Sequence, residues 1–246
     1  METLPSSQTK KDHPFPLIDY HVHFGPDFDI DQIVALSQKR EIKFGVLEHP
    51  GPEHRIANDD DLRAYIDRLR PYPVYVGVQP THVGWTKDFS ADLIDQLDYI
   101  LMDADTVPQP DGSYLRIWQN HLFIDDMAAF MEIYMAHIIN ILSQEAITIF
   151  GRPTYLPINF ARHYNEIWTE ERLKTIIDLS RERNIALEIQ EYTRVPSEEF
   201  IKQAKKAGLK FTFGTNARNQ NAGHFHYCRE MVKVCGLTEK DMLFIE

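Results

Sequence analysis

Cysteine is scarce: only Cys228 and Cys235 occur in 246 residues. On one helix they would sit about 10 Å apart along its axis, too far for a disulfide. Two unpaired thiols fit a reducing compartment. Basic residues are also in deficit, with 26 Lys plus Arg against 37 Asp plus Glu and a formal net charge of −11. A broad grip on DNA or RNA requires basic side chains that neutralise phosphates, so nucleic-acid binding is excluded as the main role. The longest apolar stretch, residues 122–142, is broken by Asp125, Asp126, Glu132 and His137, which excludes a membrane span. The opening METLPSSQTKKDHPFP has no apolar core of signal-peptide length and reads as a loose tail over residues 1–16. No linker of Pro, Gly and Ser divides the rest, so residues 17–246 read as a single domain. The expectation is a soluble, acidic, cytoplasmic protein.

Short apolar runs alternate with amphipathic ones along the chain. Runs at 17–22, 44–47, 74–78, 99–102, 147–150, 185–189 and 209–213 are too short for helices and rich in β-branched or aromatic residues, which predicts strands. Helical patterns fill the gaps. Residues 30–41 carry an apolar side. Asn58 reads as the cap of a helix to about Arg70, with Asp59, Asp60 and Asp61 at its positive end. Ser90 caps a short segment to Leu97. Apolar residues from Phe123 to Leu142 recur at helical spacing. Thr169 and Ser197 open two more helices, the second stopped by Gly208, and a last one spans Gly223 to Val234. Seven successive βα units imply a parallel sheet. No glycine-rich fingerprint follows the first strand, so a TIM-like α/β barrel is favoured over a doubly wound sheet.

In such barrels the active site lies at the C-terminal ends of the strands. The first run ends in Asp19-Tyr20-His21-Val22-His23. Alternation along a strand puts His21 and His23 on one face, able to share a metal, with Asp19 orienting His21 from behind. Later strand ends offer Glu48-His49, Gln79, Asp103-Ala104-Asp105, Arg152, Gln190-Glu191 and Asn216-Ala217-Arg218. His224-Phe225-His226 falls where a helix begins, where positions two apart diverge, so it reads as mainly structural. His54, His121, His137 and His163 read as surface or core histidines, and Met127, Met131 and Met135 as core. The segment 106–121, with Trp118 and two prolines, follows strand four and is expected to cover the barrel mouth.

The Asp-Tyr-His-Val-His motif resembles the opening motif of the polymerase and histidinol phosphatase (PHP) family. The similarity continues in register through His49, Leu97-Asp98-Tyr99-Ile100-Leu101, Ile149-Phe150-Gly151-Arg152-Pro153, Leu187-Glu188-Ile189 and Phe213-Gly214-Thr215-Asn216-Ala217-Arg218. The resemblance covers residues 17–245. It implies a distorted (β/α)7 barrel, up to three divalent metals and phosphoester hydrolysis. His21, His23 and His49 keep the family's ligands. The third-strand glutamate appears as Gln79, the fourth-strand histidine as Asp105, the fifth as Arg152, and the final aspartate and histidine as Asn216 and Arg218. An acid after the first motif corresponds to Asp27, Asp29 or Asp31.

Losing two acids and gaining two guanidiniums disfavours a trinuclear cluster, because arginine cannot coordinate a metal. The leading expectation is a divergent metal-dependent hydrolase, a phosphoesterase for a small anionic substrate, holding fewer than three Zn, Mn or Fe ions. His21, His23, His49 and Asp105 would form the metal site. Asp105, Arg152 and Arg218 would be catalytic, and Arg152, Asn216 and Arg218 would grip the substrate. Two alternatives stand beside it: an amidohydrolase-type enzyme, and a catalytically silent barrel without metal that binds a phosphate or carboxylate.

Overall fold

The computed structural model describes residues 15–245. Seven parallel strands close into a barrel in the order β1-β2-β3-β4-β7-β8-β9. They are β1 (Ile18–His23), β2 (Lys43–Glu48), β3 (Tyr75–Val78), β4 (Tyr99–Met102), β7 (Ile149–Phe150), β8 (Ala186–Gln190) and β9 (Phe211–Gly214). Each lies within two residues of its expected position. Barrel strands are covered on both faces, which is why they read as near-continuous apolar runs. Two further short strands, β5 (Thr106–Pro108) and β6 (Tyr114–Arg116), pair antiparallel outside the barrel. Sequence patterning missed this hairpin, which lies within the segment expected to cover the mouth.

Eight helices surround the strands: α1 (Ile30–Arg40), α2 (Asp59–Leu69), α3 (Ala91–Ile94), α4 (Met127–Gln144), α5 (Tyr164–Ile167), α6 (Glu170–Glu182), α7 (Glu198–Lys206) and α8 (Tyr227–Val234). Asn58, Thr169 and Ser197 cap α2, α6 and α7 by accepting from the backbone N–H three residues on. Three boundaries differ from expectation. α3 stops at Ile94 rather than Leu97. α4 begins at Met127 because Asp126 caps it, leaving Phe123 outside the helix and 72% exposed. α8 begins at Tyr227, not Gly223, because the Glu191 carboxylate accepts from the N–H groups of His226, Tyr227 and Cys228. His224 and His226 therefore precede the helix, their rings in edge contact at 4.4 Å. Cys228 and Cys235 are free, buried thiols. Phe15, read as tail, is buried against Phe213, while residues 1–14 lie outside the described part. Among the described residues no helix is long and apolar enough to cross a membrane.

The barrel's lower interior is a separate apolar cluster around Ile18, Tyr20, Leu47, Tyr99 and Leu101. Gly45 and Gly77 make room for the Tyr99 ring, which a Cβ at either position would approach to 2.3–2.5 Å. Tyr99 Oη donates to the Tyr20 carbonyl at 2.7 Å.

A bulge between Asp19 and Val22 shifts the register of β1 against β2. The extra residue resets the alternation, so that Tyr20 and His21 both face the interior. Asp19 stays on the outer side and does not touch the His21 ring, contrary to the role expected for it. Its carboxylate accepts from the backbone N–H groups of His21, Thr215 and Gly223 and from the Thr215 hydroxyl, at 2.6–3.1 Å. Burial pushes its pKa up to about 6 against these four donors, so it is ionised at neutral pH. It clasps β1 to the chain after β9, where the barrel closes.

Asp19→Ala strands these donors in a buried site and should cost roughly 3–5 kcal/mol. Urea unfolding measures this, and a loss below about 1 kcal/mol would remove the clasp from the account.

Candidate functional site

Above the apolar layer the interior turns polar. Glu188, from the middle of β8, points inward and is fully buried. Its carboxylate meets His21 Nδ1 at 2.6 Å and accepts from the Arg152 backbone N–H at 2.8 Å. Gly214 on the neighbouring strand leaves the space it needs, since a Cβ there would fall 1.8 Å from Glu188 Oε1. Glu188, not Asp19, orients His21.

Gln79, just past β3, donates through Nε2 to Asp103 Oδ2 at 2.7 Å and turns its carbonyl oxygen to His21 Nε2 at 3.2 Å. The reverse amide orientation would set two oxygens 2.7 Å apart, so His21 Nε2 is the donor. Both ring nitrogens of His21 are thus engaged with oxygens. Arg152 Nη2 reaches Asp103 Oδ2 and Asp105 Oδ2, each at 2.7 Å. The first contact is an aligned hydrogen bond. The second is an ion pair without that alignment, which leaves both Asp105 oxygens without a donor. Burial acts against the charged guanidinium, but the two carboxylates more than offset it and hold Arg152 charged. Burial raises both acids; for Asp103 the adjacent guanidinium prevails and holds it below the usual range, whereas Asp105 stays well above.

A file of histidines leads from here to the surface. Ring centroids are 5.2 Å apart for His21–His23, 5.1 Å for His23–His49 and 5.5 Å for His49–His54. His23 is fully buried with neither ring nitrogen partnered. His49 Nδ1 donates to the Gln79 carbonyl at 2.9 Å, and its Nε2 lies 3.4 Å from Arg218 Nη2. Burial, with Arg218 nearby, lowers His49 to about 4, and burial with His21 and Arg218 nearby holds His23 well below its usual value, so both rings are neutral at pH 7.

Two cavities open at the mouth. One, about 810 Å3, is lined by Gly25, Glu48, His49, Glu53, Arg55 and Arg218, among others. The second, about 690 Å3, lies under the hairpin. His49, Glu53 and His54 line both, so the two cavities adjoin along these residues and together form the groove at the mouth.

No protein-family model matches this chain. No curated protein matches it either. Solved structures that resemble it include a chain from the cryo-EM structure of archaeal ribonuclease P with mature tRNA. It shares 12% identity over 93% of this chain and 98% of its own, with a TM-score of 0.39. Another is CdNal from Clostridium difficile in complex with mannosamine, 12% identical over 90% of this chain and 79% of its own, with a TM-score of 0.34. Neither bears on what this chain does.

Of the residues expected to act, only His49 and Arg218 line the groove. Arg152 and Asp105 are buried against each other, so neither is free for a substrate or a metal. Asn216 takes a left-handed conformation (φ 52°) and lines neither cavity. A divalent cluster does not fit these donors. Both His21 nitrogens already meet oxygens, Arg152 sits against Asp103 and Asp105, and His49 Nε2 lies against the Arg218 guanidinium, which leaves His23 alone with unpartnered nitrogens. Among the described residues no group of three or more His, Cys, Asp or Glu side chains is arranged to hold a metal ion. Sequence reasoning missed Glu188 and His54. The signal for Glu188 was a lone acid inside an apolar strand, a residue type that is rarely buried without a partner.

Neutral buried histidines make stability depend on pH. His49 and His137 hold pKa values of about 4 when folded, lowered chiefly by burial, against 6.5 for the free side chain. The unfolded chain binds these protons first, so stability is present above pH 6.5 and is lost as pH falls towards 4. Urea titrations from pH 7 to pH 4 should show that decline, with a shallower slope in His137→Leu. A flat profile would contradict neutral rings.

Proposed function

We propose that this protein is a PHP-like barrel in which a protein cation replaces the metal cluster, and that its mouth binds a small organic anion, a phosphate ester or a carboxylate. The carrying observation is the contrast between its two arginines. Arg152 is spent on Asp103 and Asp105, whereas Arg218 is exposed on the groove wall with no carboxylate within 4 Å among the described residues. Glu48 in the same cavity acts on Arg218 only from beyond ion-pair distance, and a guanidinium with no direct partner suits a carboxylate or phosphate, which it can engage through two N–H groups. This is the silent-barrel alternative of the sequence reading, and it sets the metal-dependent hydrolase aside.

One observation favours a second, enzymatic reading. His49 is neutral and its free Nε2 faces the same groove beside Arg218, an arrangement suited to a general base next to an anchored anion. Turnover of p-nitrophenyl phosphate in EDTA, lost in His49→Gln, would establish hydrolysis without a metal.

The binding reading is tested by calorimetric titration of chelator-treated protein with inorganic phosphate. Binding is expected, weakened at least tenfold by Arg218→Ala, which corresponds to about 1.4 kcal/mol. Absence of binding, or indifference to Arg218→Ala, overturns it. One equivalent or more of metal per purified chain, lost on replacing His21 and His23, overturns the metal-free part.

A further inference from the structure

The hairpin over the mouth gives the groove a second chemical character. Its outer strand and the turn after it carry Tyr114, 56% exposed, and Trp118, 41% exposed, and both line the 690 Å3 cavity. Large aromatics exposed on a concave wall are unusual in a chain that buries Trp85, Trp168 and most of its other rings. Arg116, between them in sequence, lines the same cavity, is exposed, and has no ion-pair partner among the described residues. The hairpin is anchored from below by Val107 and Ile117, both buried, so the aromatic wall is held by packing. On the opposite side stand Thr81, which contacts His54 Nε2 at 3.2 Å, and the His82–Asp88 pair at 3.0 Å.

We infer that the ligand is an organic anion bearing a planar ring, the anionic group held at Arg218 and the ring against Tyr114 and Trp118. The geometric basis is the adjacency of the two cavities, which share His49, Glu53 and His54, with Arg218 on the far side of one and Tyr114 and Trp118 on the wall of the other. The chemical basis is complementarity. Three guanidiniums, Arg55, Arg116 and Arg218, line the groove with no ion-pair partner within 4 Å among the described residues, and aromatic side chains offer faces on which a flat ring stacks. This inference rests on the anion-binding reading and specifies the ligand class for the same site.

The test compares phenyl phosphate with inorganic phosphate by isothermal titration of the full chain in EDTA. Phenyl phosphate should bind at least tenfold more tightly. The double variant Tyr114→Ala, Trp118→Ala should bring the two ligands to within about threefold of each other. Both side chains are exposed, so circular dichroism should report an unchanged fold. Equal affinities in the unaltered protein would overturn the ring site while leaving the anion site standing. A preference for phenyl phosphate that survives the double variant would also overturn it. Failure of both ligands to bind would overturn the anion site and this inference together.

Discussion

A guanidinium buried between two carboxylates governs the upper interior of this barrel. Arg152 holds Asp103 charged, Asp103 fixes the amide of Gln79, and that amide dictates which nitrogen of His21 donates. Glu188 closes the circuit by accepting from the Arg152 backbone and pairing with the His21 ring. Each group sets the hydrogen-bonding role of the next, while the Asp105 oxygens and Arg152 Nε stand outside the chain of hydrogen bonds. A buried ion pair of this kind is weak support for stability in its own right, but removing one member leaves the others as uncompensated charge. What the network secures is definition: one amide orientation at Gln79 and a His21 ring with both nitrogens engaged by oxygens.

That network depends on a backbone irregularity. Without the bulge in β1, residues 18, 20 and 22 would face one way and 19, 21 and 23 the other. The lower interior needs Tyr20 against Tyr99, and the upper interior needs His21 against Glu188. One extra residue satisfies both. Asp19 stabilises the strand where it changes sides by holding the His21 N–H and the chain that leaves β9. The motif that looks like a run of ligands is thus half clasp and half network.

The sequence carried the strand positions well because barrel strands, covered on both faces, must be short and apolar throughout. It carried the helix starts where a side chain caps them, as at Asn58, Thr169 and Ser197. It failed at α8, where the cap is Glu191, thirty-five residues from His226 in the chain. It failed likewise with the β5–β6 hairpin, whose strands of three residues give too few positions for alternation to register. Strand-end position put His49 and Arg218 on the groove wall and Arg152 and Asp105 in the buried network, because a strand end fixes where a residue sits and not whether its charge is already answered by a neighbour.

The charge count then determines where recognition takes place. Three divalent ions would bring about six positive charges to this interior, where ions rather than side chains would dominate the field. Here Arg152 answers Asp103, Asp105 is pushed by burial towards its neutral form, and Glu188 pairs with the His21 ring. The interior is close to self-compensated and offers little net field to a ligand. Arg55, Arg116 and Arg218, which have no ion-pair partner among the described residues, are instead on the groove above, which the histidine file separates from the buried network. On the proposed anion-binding reading, the inner charges serve architecture and the outer ones serve binding, so specificity belongs to the loops and the hairpin at the mouth, above the floor that the inner strand ends hold in place.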